Sequence, residues 1–522
     1  MPVAVAAGDT QTVEAAVRVL HAHGNAVDAA VAAMFAALLA EPPLINLGGG
    51  GIALVGRGDA VTSYDFMADM PSRPPHRDMD FYEVVVHFEA ASQSFWLGRA
   101  SAAVPGLVAG LHAMHTDYGR LPWRDVLAPA IRLAEEGAII SEAQAHIIGL
   151  LAELYRHDPA LRELFLPGGK PLKAGTRLKR PKLARTLRLL AEKGPDAFYR
   201  GPIAQAIVAD QQMHGGLITA DDLARYRVWR ASPLQRTYRD ARVWLPGPPS
   251  KGGGLVAFTL ALLEDHPLSA WTPLSVAHVR LLAEAMRLTQ HVRPLWNERA
   301  HHAQAFFTPE IVAQYRSHLR RALAQGSFLR EPSEAPTGPY TTHISVADAE
   351  GWVVSMTATS GEDAGFLIPE WGFRMNNMLG EADLHAEGFH RLKAGERLGT
   401  MMTPLLARWS TPQGPRVLAV GSGGSSRIRS AVLQTFSYVR DFDYPLARAV
   451  DAPRIHYEDG IVHLEGGVPP TTAQALVRMG YRVNPWARRS MYFGGAHAIL
   501  WQAHHAQAAG DPRRGGAAYT KP

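Results

Sequence analysis

Pro339-Tyr340-Thr341-Thr342-His343-Ile344-Ser345-Val346 lies about two-thirds of the way along a 522-residue chain. A Thr-Thr pair followed by alternating residues reads as the start of a β-strand. A turn at Ala349-Glu350-Gly351 separates it from a second alternating run, Trp352-Val353-Val354-Ser355-Met356-Thr357-Ala358-Thr359. If that turn is a three-residue hairpin loop, Asp348 faces Trp352. Counting back along both strands then sets Thr341 opposite Thr359. Two hydroxyls meet at one end of the hairpin, with cross-strand Cβ atoms roughly 5 Å apart.

This pairing acquires chemical meaning if the chain is cut before Thr341. A new N-terminal threonine carries its own base, an α-amino group with an unperturbed pKa of about 8. Nucleophile and base then sit on one residue and need no third element to bring them together. Taken alone, Thr-Thr-His is an ordinary strand sequence, so the weight of this reading comes from the surroundings. The preceding segment, Ser327 to Tyr340, holds four prolines or glycines and reads as an exposed linker suited to cleavage.

Bulk composition narrows the class. Apolar content of 47% and charged content of 19% are globular values, and the length is ample for a large core. A net charge of +5 with acids and bases interspersed gives little reason to expect a nucleic-acid partner. The basic run Arg177-Leu178-Lys179-Arg180-Pro181-Lys182 lacks interleaved aromatics and reads as a solvated helix entry. The chain contains no cysteine, which removes disulfides, thiolate nucleophiles and Cys-ligated metals together. His301-His302 and His504-His505 lack ligand spacing, so neither a metal nor another cofactor is expected. The opening Met1-Pro2-Val3-Ala4-Val5-Ala6-Ala7-Gly8-Asp9 has no charged start or long apolar run. The apolar stretch Val27 to Leu39 is about two-thirds of a membrane span. A cytoplasmic protein without a membrane partner is the expectation.

Helical spacing begins at Thr10, with Thr10 or Thr12 as cap, and breaks at Gly24-Asn25. The second helix is apolar nearly all round and therefore buried. Asn46-Leu47-Gly48-Gly49-Gly50-Gly51 leads into a strand at Ile52–Val55. No Lys-Ser/Thr follows these glycines, so close backbone packing explains them better than a phosphate loop. Ser63 to Met67 reads as another strand. Helices are expected at Pro105–Asp117, Pro122–Glu136, Glu142–Tyr155, Leu183–Lys193, Pro202–His214, Ala220–Tyr226 and Ala277–His291, and one follows the rigid loop Leu245 to Gly254. Beyond Thr341 strands dominate, at 342–348, 352–359, 402–409, 415–421, 454–457 and 461–464, with helices at 427–439 and 469–479. Two layers of strands covered by helices is the architecture this order suggests. Gly421-Ser422-Gly423-Gly424-Ser425-Ser426-Arg427 forms a turn before a helix, open enough to offer backbone N–H groups to an oxyanion.

The chain resembles the γ-glutamyltranspeptidase family. Eight pieces occur in family order: Gly24-Asn25-Ala26-Val27-Asp28-Ala29-Ala30, Asn46 to Gly51, Pro105-Gly106-Leu107-Val108-Ala109-Gly110, Gly194-Pro195-Asp196-Ala197-Phe198-Tyr199, Gly215-Gly216-Leu217-Ile218-Thr219, Thr341-Thr342-His343, Ala452-Pro453-Arg454 and Asp511-Pro512-Arg513-Arg514. Each is weak alone; together they are specific. The resemblance implies an α+β fold, the four-layer αββα sandwich of N-terminal-nucleophile hydrolases. It also implies self-cleavage between Tyr340 and Thr341 into a large subunit, 1–340, and a small subunit, 341–522. These would form an intertwined heterodimer, with higher oligomers left open. Thr341 matches the nucleophile and Thr359 the threonine that hydrogen-bonds it. Thr342 and His343 are motif residues, and His343 either orders the cleavage site or simply packs. Gly424 and Ser425 match the oxyanion donors.

The departures from the family concern recognition. The arginine that clamps the glutamate carboxylate falls at Met67. The amine ligands fall at Gly361, Met378 and Glu381, and the serine pair at Thr400 and Met401. Losing a bidentate arginine at a desolvated carboxylate costs about 3–5 kcal/mol, and methionines leave an apolar, adaptable pocket. Only Glu381 could still receive an ammonium or iminium group. The expected activity is therefore hydrolysis or acyl transfer on a small-molecule amide or acyl substrate that is not γ-glutamyl. The alternatives are carbon–carbon bond hydrolysis of a cyclic imino acid, as in a family branch that makes alkylated proline units, or glutathione-type transpeptidation, which Met67 disfavours. A non-catalytic binding protein on the same scaffold is a further alternative.

Overall fold

Strand direction follows from the alternation of side chains, and the hairpin shows it. The structure is a computed structural model that describes residues 2–88, 91–299, 308–325, 341–385 and 387–521. Before residue 341 the strands of the two large sheets are β1 (Val3–Ala7), β2 (Gly50–Arg57), β3 (Ala60–Phe66), β4 (Trp229–Ala231), β5 (Leu234–Tyr238) and β6 (Ala241–Leu245). After it come β7 (Thr342–Ala347), β8 (Trp352–Thr359), β9 (Leu405–Trp409), β10 (Arg416–Gly423), β11 (Ile455–Glu458, in a small separate sheet), β12 (Gly495–Gln502), β13 (His505–Ala509) and β14 (Ala517–Lys521). One sheet has the order β14-β1-β7-β8-β2-β3-β4, and the other β13-β12-β10-β9-β6-β5. Both sheets therefore mix strands from either side of residue 341.

Alternation sets the layers. In β7, Ile344 and Val346 join a core with α1 (Thr10–His21) and α2 (Ala26–Ala40). Ala347 faces the opposite way, into a core between the sheets that includes Ala4, Leu54, Ala419 and Ile499. The far side of the second sheet is covered by α3 (Lys251–Leu263), α4 (Val276–Arg299) and α5 (Ile428–Arg440). The result is the four-layer αββα sandwich that the resemblance implies. No helix among the described residues is long and apolar enough to cross a membrane.

Local chemistry explains several of the sequence pieces. Asn25 caps α2 in a capping box with Asp28, and every residue of α2 is buried. The Ala26 N–H donates to Asp348 Oδ2 at 2.8 Å, which ties the start of α2 to the hairpin turn. A Cβ on Gly49 would lie 2.5 Å from the Thr359 carbonyl oxygen, and one on Gly48 2.5 Å from that of Arg374. Those glycines serve close backbone packing. Asp9, and not Thr10 or Thr12, caps α1, accepting from the Gln11 N–H; Thr12 is buried and donates to Glu41 instead. Arg180 is likewise not solvated: it is buried and donates to the Gly372 carbonyl. The helix 142–155 is two pieces, Glu142–Leu150 and Ala152–Tyr155. β12 to β14 lie beyond the strands read from sequence. The linker 327–340, including Tyr340, lies outside the described residues, apart from which Thr341 begins the next segment.

The pieces Ala452-Pro453-Arg454 and Asp511-Pro512-Arg513-Arg514 meet in one buried ion network. Asp511 accepts from Arg454 Nη2 at 2.6 Å, Arg513 Nη1 at 3.1 Å and the Ala496 N–H at 2.8 Å. Arg513 also forks onto Glu465. Burial alone would raise the Asp511 carboxyl, but the two arginines and the backbone donors outweigh it and hold the pKa at about 2, against an ordinary 3.8. Its stabilisation is therefore fully present above pH 3.8 and is lost as pH falls toward 2. Asp511→Asn leaves buried guanidinium groups undercompensated and is expected to cost about 3–5 kcal/mol. Thermal melts at pH 7 check this; a variant melting with the parent would show that the network does not hold the start of β12.

Candidate active site

The hairpin pairs Thr342 with Ala358 and Ala347 with Val353, and the Asp348 N–H donates to the Trp352 carbonyl. In that register Thr341 stands opposite Thr359. Odd-numbered residues of both strands face the second sheet: His343 meets Thr357 at 2.7 Å, and Ser345 reaches the His497 carbonyl. Thr341 and Thr359 share that parity, so both project into the gap between the sheets, at its open end. Both are nearly buried. Thr359 Oγ1 accepts from the Gly361 N–H at 3.0 Å, fixing the hydroxyl oxygen where the strand ends.

Even-numbered Thr342 points the other way, toward α2. Its hydroxyl donates to Glu41 Oε2 at 2.6 Å, and Thr12 donates to Glu41 Oε1. Glu41 is fully buried, and burial raises its pKa to about 7. It anchors the residue after Thr341 from behind, a role sequence reading missed because Glu41 ends an apolar helix with no motif around it. His343 is completely buried, hydrogen-bonded on both ring nitrogens to Thr357 and Ser345. Burial holds its pKa well below the ordinary histidine value, so the ring is neutral. A Cβ on Gly421 would lie 2.2 Å from His343 Nδ1. The packing role of His343 is thus explicit, and the glycine opposite it is required by the ring.

The second sheet delivers the turn. β10 ends at Gly423, Gly424 has φ +130° and Ser425 φ +47°, and a short 3₁₀ turn leads into α5. A Cβ on Gly423 would lie 2.2 Å from the Thr341 carbonyl oxygen, so glycine lets the turn approach the hairpin. A left-handed Ser425 leading straight into a helical turn makes a backbone concavity of the kind that binds anions.

Between hairpin and turn lies a cavity of about 20 Å³, room for about one water. Thr341, Thr359, Gly361, Ser425, Glu381 and Thr400 line it, with Met67, Met401 and Met402 as its apolar wall. Asp383, Leu384 and Ile428 complete the lining and were not anticipated. Met378 is not among the lining residues. Its N–H donates to Asn376, its carbonyl accepts from His385, and its side chain is buried in the core; Met402 takes the place expected of it. Thr400 is held by α3, since the Lys251 and Gly252 N–H groups donate to its carbonyl.

Electrostatically the cavity is acidic. Glu381 lies against Gly361, where a Cβ would sit 2.4 Å from its Oε1, and that oxygen is buried without a hydrogen-bond partner among the described residues. Burial and the nearby Glu362 raise the Glu381 pKa well above the ordinary carboxylate value. Burial also raises Glu362, to about 8. Both acids therefore hold a proton more readily than an ordinary carboxyl. Arg397, buried at the end of β3, is committed to Asp65 and Asp69 at 2.9 and 2.5 Å. It shares the Asp65 carboxylate with the Met67 N–H and supplies no charge to the cavity.

Comparison with known proteins agrees with this geometry. The family profile described as Gamma-glutamyltranspeptidase matches residues 12–520. The chain is 32% identical over 496 residues to Acylase ACY 1 proenzyme of Pseudomonas sp. strain V22, covering 93% of this chain and 88% of that protein. It is 30% identical over 503 residues to Glutathione hydrolase proenzyme of Escherichia coli strain K12, covering 92% and 85%. Cephalosporin acylase from Bacillus halodurans superposes with a TM-score of 0.80 at 25% identity, covering 99% and 95%. The chain belongs to the γ-glutamyltranspeptidase family and is an N-terminal-nucleophile hydrolase.

Proposed function

We propose that the chain cuts itself between Tyr340 and Thr341 and then acts, through Thr341, as a hydrolase or acyltransferase on an acyl substrate that is not γ-glutamyl. The carrying observation is the juxtaposition of Thr341, Thr359 and the Gly424–Ser425 turn around a cavity walled by methionine. Relatives named proenzymes support the cleavage, and those named acylases support an amide or acyl substrate. Before cleavage the Thr341 hydroxyl attacks the Tyr340 carbonyl, and the C–N bond breaks as the ester forms, freeing the Thr341 amine; water then opens the ester, leaving a Tyr340 carboxylate and the free Thr341 hydroxyl. In the mature protein that amine takes the hydroxyl proton as Oγ adds to the substrate carbonyl. Thr359 orients the hydroxyl, and the turn receives the oxyanion. The amine then returns the proton to the leaving group, and water or another acceptor resolves the threonyl ester. Residues 1–340 and 341–522 would remain joined as a heterodimer because both contribute strands to each sheet.

Glu381 favours a second reading. A buried carboxyl facing the cavity with one oxygen unsatisfied suits a substrate bearing an ammonium or iminium nitrogen, including the cyclic imino acid of a carbon–carbon bond hydrolase. A cation there would draw the proton from the Glu362–Glu381 pair.

Three measurements test these readings. On a denaturing gel the protein is expected as two pieces, 1–340 and 341–522, and Thr341→Ala as one; a fully active uncut chain would refute the mechanism. Turnover of γ-glutamyl-p-nitroanilide is expected more than a hundredfold below that of a glutathione hydrolase, since Met67 cannot pair a carboxylate. Met67→Arg alone should not restore it, because an asparagine at Gly361 would also collide with Glu381 and Asn377. Finally, the raised Glu362 pKa means the folded state holds a proton that the unfolded state loses near 4.5. Stability is then greatest below pH 4.5 on this account and declines as pH rises toward 8. Glu362→Gln should flatten the fall in melting temperature between pH 5 and 8; an unchanged slope would remove Glu362 as its source.

A further inference from the structure

The turn after β10 carries a conformation that its own sequence does not favour. Ser425 has φ +47°, a left-handed value that costs a non-glycine residue roughly 1–2 kcal/mol. Such a residue persists only where neighbours over-determine it. Two carboxylates do so here, each bonded to one of two adjacent serines. Ser425 Oγ donates to Asp383 Oδ2 at 2.7 Å, and Ser426 Oγ donates to Glu458 Oε1 at 2.5 Å. Asp383 stands on the 3₁₀ turn Ala382–Leu384, directly after Glu381, and lines the cavity together with Ser425. Glu458 ends β11 and is not among the residues that line the cavity. Behind it Ser430, on the first turn of α5, meets His456 Nδ1 at 2.6 Å, and His456 Nε2 lies 3.7 Å from Glu458 Oε2. Charge-assisted O–H···O⁻ bonds of this length are short and strong, enough to hold two adjacent residues against backbone strain.

We infer that Asp383 and Glu458 are positioning residues for the acyl-transfer step, clamping Ser425 and Ser426 so that the turn's N–H groups stay aimed at the oxyanion. The inference rests on the reading of Thr341 as nucleophile. It adds that the pocket wall and the oxyanion turn are one mechanical unit: the segment carrying Glu381 also carries the carboxylate that sets the turn. A substrate that shifts the wall thereby shifts the turn.

The test uses the processed full-length protein and two probes. Butylboronic acid forms a tetrahedral adduct on a nucleophilic hydroxyl and needs the oxyanion turn, whereas butyramide is trigonal and does not. Calorimetry on Asp383→Ala and Glu458→Ala is expected to show boronate affinity at least tenfold weaker, with butyramide affinity changed less than twofold. Asp383→Asn and Glu458→Gln keep an accepting oxygen for the serine hydroxyl and should recover most of the boronate affinity. Ser425→Gly relieves the strain and removes the hydroxyl, so adding Asp383→Ala to it should cost nothing further. Equal weakening of both probes, or the same loss from Asp383→Ala with and without Ser425→Gly, would show that Asp383 touches ligand or merely supports the fold, and would overturn the clamp. A parent protein that is cleaved but takes up no boronate would instead overturn the Thr341 reading, and the clamp with it.

Discussion

The antiparallel pairing of β7 with β8 in a single register is the constraint on which the site depends. Strand side chains alternate with a period of two, so a slip of one residue would send Thr341 toward α2 and Thr342 into the gap between the sheets. The register is fixed at the turn, where Asp348 Oδ1 accepts from the Glu350 and Trp352 N–H groups. Asp348 Oδ2 takes the Ala26 N–H, so the hairpin cannot slide without uncapping α2. At the other end Thr342 is pinned to Glu41. One face of the hairpin is thus bonded to the helical layer at both ends, which leaves the odd-numbered face free to present hydroxyls to the second sheet.

That second sheet must come close, and close approach explains residues that composition alone leaves unremarked. Gly421 accommodates the His343 ring, and Gly423 the Thr341 carbonyl. A methyl group at either would force the sheets apart, since overpacking a dense interior costs about 1–3 kcal/mol. The buried network of Arg454, Asp511, Arg513 and Glu465 stands behind β12, the strand paired with β10. Ions so deep in a protein are expensive unless mutually satisfied. Here they hold β12 through the Ala496 N–H, and β12 in turn holds the strand that ends in the Gly424–Ser425 turn.

What the sequence disclosed follows the same division. β-branched alternation bounded by a glycine turn gave the hairpin and its register, and continuous apolarity gave the buried α2. β12 was not legible because Gly495-Ala496-His497-Ala498 has little strand propensity; it is a strand because β10 and β13 pair with it on both sides. Helix 427–439 was read within a residue of α5, whereas the cap of α1 was misassigned because a threonine at either Thr10 or Thr12 satisfies the same pattern as Asp9. At the site, residues on regular strands were placed correctly by parity. On the irregular segment 361–384 Gly361 and Glu381 reach the cavity as expected, but Met378 turns into the core, and Asp383 reaches the cavity from a 3₁₀ turn with no periodicity to betray it. Glu362 was invisible for a related reason, since its importance comes from burial beside another acid.

This contrast bears on how one scaffold serves different substrates. The groups proposed to break the bond sit on strand ends and on a glycine turn, where each position is fixed by a sheet register or a backbone contact, and substitution there would disturb the whole sandwich. The groups proposed to recognise substrate are Met67, just past the end of β3, Gly361 and Glu381, and Thr400 to Met402. These segments lie outside the regular strands of the two sheets, so a side chain there can change without shifting a sheet register. Replacing a guanidinium by methionine removes a buried charge that needed a ligand to compensate it, and Arg397 is already neutralised by Asp65 and Asp69. The cavity is left with protonatable acids and thioethers. On the proposed reading Met67 offers a substrate carboxylate no ionic partner, whereas an apolar acyl group meets the methionine wall and a nitrogen cation meets Glu381. On that reading, selection against a γ-glutamyl group would come as much from the ionic partner the wall withholds as from the contacts it offers.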